Sequence, residues 1–151
     1  MEPKKILLTT DFSPLADEAL EPAASLAERF GVPLVLVSVV PGRRPPKPDP
    51  TAPYFKAAQA LYDNDVEAEA DALRQLEERL RPLTQVSWQA IVGRGEPIKS
   101  ILDIAEKEDV GLIVISSQGR TGLKRMILGS VAEELARVSP LPVLIWKGPR
   151  A

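Results

Sequence analysis

Two polar clusters in this 151-residue chain carry residue types that do chemistry. One is Thr9-Thr10-Asp11-Phe12-Ser13, directly after Ile6-Leu7-Leu8. The other begins Ser116-Ser117-Gln118-Gly119-Arg120 after the apolar run Leu112-Ile113-Val114-Ile115, and continues through Gly122, Lys124 and Arg125 to Gly129-Ser130. Gly119 and Gly122 permit backbone conformations closed to other residues and let main-chain N–H groups come close to a ligand. Gly129-Ser130 then delivers the chain into a helix N-terminus, where free N–H groups and the helix dipole attract anions. These are the parts of a phosphate cradle, with Arg120, Lys124 and Arg125 adding positive charge and the Ser130 hydroxyl a donor. The same stretch has a purely structural reading, because a strand-to-helix loop needs turn glycines and Ser130 with Glu133 spells a capping box, S-x-x-E. Neither G-x-G-x-x-G nor G-x-x-x-x-G-K-[ST] occurs, so no generic nucleotide fingerprint decides between the two.

Absent residue types narrow the chemistry further. The chain has no cysteine and no histidine, which removes thiol nucleophiles, thiolate and imidazole metal sites, and Ser-His-Asp catalysis. Catalysis would fall to carboxylates, hydroxyls, Lys/Arg, or a metal arriving on a substrate phosphate. The formal charge of -2 argues against a nucleic-acid partner held by backbone electrostatics. No segment reaches the ~20 apolar residues of a membrane span, and Met1 to Ile6 lacks the apolar core of a signal peptide. The expectation is one cytoplasmic domain over residues 1–151 without a membrane partner.

The elements that must hold the two clusters follow from periodicity. Ile6-Leu7-Leu8-Thr9 reads as a short strand, and Ser13-Pro14 as a helix start with serine at the N-cap and proline at N1. That helix is predicted to reach Phe30, stop at Gly31, and bend at Pro22. Val32 to Val40 is a near-continuous β-branched run of the kind buried on both sheet faces. Residues 41–53 hold six of the chain's 15 prolines and read as an extended loop. An Ala-rich helix to about Arg81 follows, with Tyr62, Val66, Leu73, Leu76 and Leu80 on one face. A strand over Gln85 to Val92, a helix from Pro97 to near Glu108, a strand over Val110 to Ile115, a helix over Ser130 to Val138 and a strand over Pro142 to Trp146 complete the order. Such alternation predicts an α/β fold with a parallel sheet and helices on both faces, with ligands bound beyond the strands' carboxyl ends where strand order reverses.

The second cluster resembles the signature of the universal stress protein family, in its ATP-binding branch, where G-x2-G-x9-G-[ST] follows the fourth strand. Gly119, nine residues, then Gly129-Ser130 match its second half, and Ser116 stands where the motif has its first glycine. Thr10-Asp11-Phe12-Ser13 is similar to the family's T-D-F-S, and Gly95-Glu96-Pro97 and Leu141 to Ile145 extend the likeness. The resemblance implies a three-layer α/β/α sandwich whose five-stranded parallel sheet has the order 3-2-1-4-5. It implies that Asp11 accepts hydrogen bonds from ribose hydroxyls and that Thr10 and the backbone near Val39 contact adenine. Gly119, Arg120, Gly129 and Ser130 would hold the phosphates, with Mg²⁺ carried in on the nucleotide; Thr9 and Ser116, at the two strand tips, complete the candidate set. A serine at 116 fits where φ is negative and obstructs where φ is positive or a ligand must come close. The family further implies a homodimer through strand 142–146, where Trp146 lies, an unidentified protein partner, and ATP, AMP or ADP as a regulatory ligand in stress response. The other two readings are a nucleotide-free scaffold, to which Ser116 points, and a slow ATPase or phosphotransfer protein, at most weakly active without a histidine base.

Overall fold

The computed structural model describes residues 2–49, 51–118 and 128–149. Five strands, β1 (Ile6–Thr9), β2 (Leu34–Val40), β3 (Trp88–Arg94), β4 (Leu112–Ser116) and β5 (Val143–Trp146), form one sheet of order β3-β2-β1-β4-β5. Every pairing is parallel, with Ile6 opposite both Leu34 and Leu112. Among the described residues the helices are α1 (Pro14–Glu18), α2 (Leu20–Phe30), α3 (Phe55–Leu80), α4 (Pro97–Lys107) and α5 (Ser130–Val138).

Side-chain alternation along the strands divides the interior into two layers. Ile6, Leu8, Leu34, Leu36, Leu112 and Val114 face α2 and α3, where they meet Ala23, Ala27, Leu76 and Leu80. Leu7, Val35, Val37, Ile113 and Ile115 face α4 and α5, where they meet Ile98, Ile101, Ala105 and Leu135. Central strands β1, β2 and β4 are thus apolar on both sides, the property that produces unbroken β-branched runs in a parallel sheet.

Two sequence expectations need correction. The first helix does not bend at Pro22; it breaks three residues earlier, at Ala19, whose N–H is shared between Leu15 and Ala16 carbonyls at 3.2 and 3.1 Å. Pro22 is thereby placed in the first turn of α2, where its missing N–H has no intrahelical acceptor to forgo. The helix that would have clashed with the proline ring, at the Glu18 carbonyl, ends at Glu18. The other end behaves as expected, with Gly31 at φ 66° and the Val32 N–H reaching back to Ala27 at 3.0 Å.

The second correction concerns α3. Its buried positions are Asp65, Ala72, Leu76 and Leu80, while Val66 and Leu73 are 41% and 39% exposed. At 1.5 Å per residue the helix is about 39 Å long, whereas a seven-residue strand spans about 23 Å. Its first ten residues therefore outrun the sheet, and none of them is buried. Where α3 reaches the protein, the buried Asp65 takes Arg43 from the proline-rich loop at 2.6 Å. Removing Arg43 would leave that carboxylate without its cation. Because Arg43 is itself half exposed, Arg43→Ala is expected to cost only about 1–2 kcal/mol, less than a fully buried pair, read as a lower urea midpoint.

Candidate functional site

Beyond the carboxyl ends of β1, β2 and β4 the chain leaves a cavity of about 560 Å³, within the range of roughly 300–1,000 Å³ usual for small-molecule sites. It sits between β1 and β4, which are sheet neighbours with connections leaving to opposite faces, the switch point where such sheets bind ligands. Thr9, Thr10, Asp11, Val39, Ser116, Gly129 and Ser130 all line it. Gly119 and Arg120, with Gly122, Lys124 and Arg125, lie outside the described residues.

The β1 tip is built by short-range polar bonds. The Thr10 N–H donates to the Val37 carbonyl at 2.8 Å, extending the sheet by one residue. Thr10 Oγ1 then accepts from the Phe12 N–H, and Asp11 Oδ1 from the Ser13 N–H, each at 3.0 Å. Ser13 Oγ caps α1 by accepting from the Ala16 N–H at 3.3 Å. Such side-chain turns compete well with regular structure for threonine, aspartate and serine. They carry Phe12 into the left-handed region at φ 64°, a conformation costing of order 1 kcal/mol in a non-glycine residue. Tertiary contacts hold it there: the Arg79 guanidinium lies 4.7 Å over the Phe12 ring and forks onto both Asp17 oxygens at 2.6 and 3.1 Å. Asp11 is thus presented from a turn that α1 and α3 jointly brace.

Across the cavity, Ser116 ends β4. The non-glycine residues with positive φ among those described are Phe12 and Asp109, so Ser116 keeps ordinary strand backbone and its Cβ is tolerated. Its hydroxyl donates to the Gln118 carbonyl at 3.0 Å. The next residue is clamped twice, the Ser117 N–H to Trp146 O at 2.8 Å and Ser117 O to the Gly129 N–H at 2.6 Å. This clamp brings the start of α5 against the tip of β4. The capping box does not form: Gly129, at φ −62° and ψ 153°, is the N-cap, no side chain caps the helix, and Ser130 is the first helical residue and exposed. Ser130 lines the cavity, together with Val131 and Ala132 of the first turn.

Part of the wall was not legible in the sequence. Ala68, Asp71, Ala72 and Gln75 of α3, and Pro97 and Ile101 of α4, also line the cavity. Asp71 is occupied by Gln75 Nε2 at 2.9 Å and by Arg74. The long α3 passes the strand tips mid-length, a tertiary fact that no local motif encodes. A smaller hollow of about 320 Å³ lies between β3 and α4. There Lys99 and Asp103 neutralise each other at 2.6 Å, and the hydrogen-bonded carboxylate raises the lysine's pKa above its ordinary value. None of the residues of the two polar strand tips lines it.

The profile of the Universal stress protein family matches residues 2–147. Universal stress protein MJ0577 of Methanocaldococcus jannaschii is 31% identical, over 95% of this chain and 94% of its own. The solved structure of hypothetical protein MJ0577 matches with a TM-score of 0.72 at 28% identity, covering 100% of both chains. A universal stress protein from Archaeoglobus fulgidus, solved in complex with dAMP, has the same fold at a TM-score of 0.67 and 24% identity, over 96% of this chain and 98% of that one. Another, solved in complex with cAMP, gives 0.67 at 20% identity, over 97% and 98%.

Proposed function

The chain belongs to the universal stress protein family, and from that premise we propose that it binds ATP, or AMP or ADP, in the cavity between β1 and β4 as a regulatory ligand in the stress response. The observation that carries this reading is that every described residue expected from the sequence to touch the nucleotide lines a single cavity of fitting size. Relatives of the same fold solved with dAMP and cAMP support the ligand class. Asp11 and the backbone at Val39 take the nucleoside side, and the first turn of α5, with Gly129 and Ser130, takes the phosphates together with Gly119 and Arg120. Mg²⁺ travels on the phosphates, since it ordinarily keeps several waters and is held through substrate phosphates and at most one or two carboxylates.

Ser116 favours this reading over a nucleotide-free scaffold, because its strand backbone tolerates a side chain and the hydroxyl is turned to Gln118. Without a histidine base, any hydrolysis is slow. The protein acts in the cytoplasm, and among the described residues no helix is long and apolar enough to cross a membrane. β5 is an outer strand whose free edge invites a second copy, so the nucleotide's effect passes through a homodimer joined at residues 142–146 to a protein partner. Calorimetric titration with ATP, AMP and ADP, with and without Mg²⁺, tests the reading. Saturable binding of at least one nucleotide at micromolar to submillimolar concentration is expected; none at millimolar concentration would leave the scaffold reading standing.

A further inference from the structure

The sheet has two outer strands, β5 with four residues and β3 with seven. Which main-chain groups of β3 are free follows from its ladder. Ser87 O accepts from the Leu34 N–H and the Gly95 N–H donates to Val40 O, both at 2.9 Å, so the odd-numbered residues turn their N–H and C=O toward β2. Alternation then turns those of Trp88, Ala90, Val92 and Arg94 outward. Among the described residues these outward groups have no protein partner.

Proteins ordinarily guard such an edge with lysine, proline or a bulge. β3, WQAIVGR, holds neither lysine nor proline, its register with β2 is unbroken from Trp88 to Arg94, and its one charge is Arg94 at the end. β5, by contrast, is bounded by Pro142 and Lys147. While β2 is buried through almost its whole length, Trp88 and Gln89 are exposed and Ala90, Ile91 and Val92 are half-buried. The hollow of about 320 Å³ marks the same opening, since Ile91, Val92, Gly93 and Arg94 line it in succession. Consecutive strand residues point to opposite faces, so a hollow that touches all four runs along the edge.

The strand is also complementary to itself. Laid antiparallel on a second copy with the two-fold axis at Ile91, outward groups meet outward groups: Trp88 faces Arg94 and Ala90 faces Val92, each pair formed twice. No like charges on the strand then face one another. Arg94, held by Glu69 of α3, comes beside an indole that is 36% exposed, a cation–π pairing across strands. Ala90 and Val92, already packed on the α3 side of the core, continue that apolar layer into the second copy.

We infer that β3 is a self-association edge at which two copies pair antiparallel about Ile91. This contact is separate from the pairing at residues 142–146 and independent of the nucleotide. With one such edge on each side, the sheet extends without closing, so the two contacts together link dimers into longer assemblies.

The chain has no cysteine, which suits a cross-linking test. Ile91→Cys stands on the axis, where the facing Cα atoms of a non-hydrogen-bonded antiparallel pair are about 4.5 Å apart, within the roughly 4.4–6.8 Å that a disulfide spans. Gln89→Cys is on the same strand but lies four residues from its own copy, about 13 Å. Mild oxidation is expected to give covalent dimers of Ile91→Cys and far fewer of Gln89→Cys. Sedimentation of the parent, Ala90→Pro and Trp88→Arg over a range of concentrations supplies a second readout. The proline deletes an outward N–H and leaves the β2 ladder whole, while the arginine sets like charges opposite Arg94. Because each change occurs twice across the axis, each is expected to raise the dissociation constant of the β3 contact about tenfold. Trp88→Arg, at an exposed position, stands alone if the proline variant fails to melt like the parent. Equal cross-linking at 89 and 91, or one mass-against-concentration curve shared by parent and variants, would overturn the inference; an edge reserved for a different protein's strand gives that same shared curve.

Discussion

A Gly129→Val chain is expected to fold like the parent and to lose at least about 100-fold in ATP affinity, the equivalent of two hydrogen bonds to a charged phosphate. The two effects separate because of the backbone at this residue. With φ −62° and ψ 153°, Gly129 occupies a region open to valine, and its N–H keeps the bond to Ser117 O whatever the side chain. Stability loses only the modest preference of an N-cap for glycine over valine, of order 1 kcal/mol, or about 2–4 °C in Tm for a chain of this size. Binding loses far more, since a branched side chain on the cavity wall keeps the phosphates from the first-turn amides of α5. Titration with Mg-ATP beside a melting curve reads both. Parent-like ATP affinity would place the phosphates elsewhere.

The contrast between Gly129 and Ser130 shows how far the sequence could be read. Spacing alone places a helix start at this dipeptide, and the helix begins there. Which residue caps it depends on where the Ser117 carbonyl takes the Gly129 N–H, a contact between two ends of a loop that local pattern does not contain. The same limit explains the first helix. Pro22 was visible as a helix breaker, but a proline is also at ease in a first turn, and the chain satisfies it by ending one helix at Glu18 and starting another at Leu20.

Strand order is the other instructive case. Periodicity yields five strands and four crossovers but cannot say which strands are adjacent; the polar tips of β1 and β4 suggested adjacency and the family likeness supplied the order that the sheet has. The α3 side of the cavity had no comparable signal. No sequence motif singles out Asp71, Gln75 or Asp65; Asp71 and Gln75 line the cavity and Asp65 is buried because the helix lies across the strand tips.

Asp11→Ala tests the nucleoside half of the site, and the sign of its effect is itself diagnostic. If Asp11 only repelled the phosphates, deleting it would tighten ATP. If it accepts from the ribose hydroxyls, deletion forfeits charge-assisted bonds and weakens ATP by about 100-fold. Part of any change in stability comes from the turn, because Asp11 Oδ1 accepts from the Ser13 N–H at 3.0 Å, a bond worth about 1 kcal/mol. Asp11→Asn separates the two roles: it keeps an acceptor for Ser13 and restores the turn, yet lacks the charge that strengthens the sugar contact. The parent chain should therefore prefer ATP to 2′-deoxy-ATP, Asp11→Asn should retain less of that preference, and Asp11→Ala should lose it. Tighter ATP binding in the alanine variant, or an unchanged preference between the two sugars, would take Asp11 out of ribose recognition and leave it as the turn residue that its bond to Ser13 already makes it.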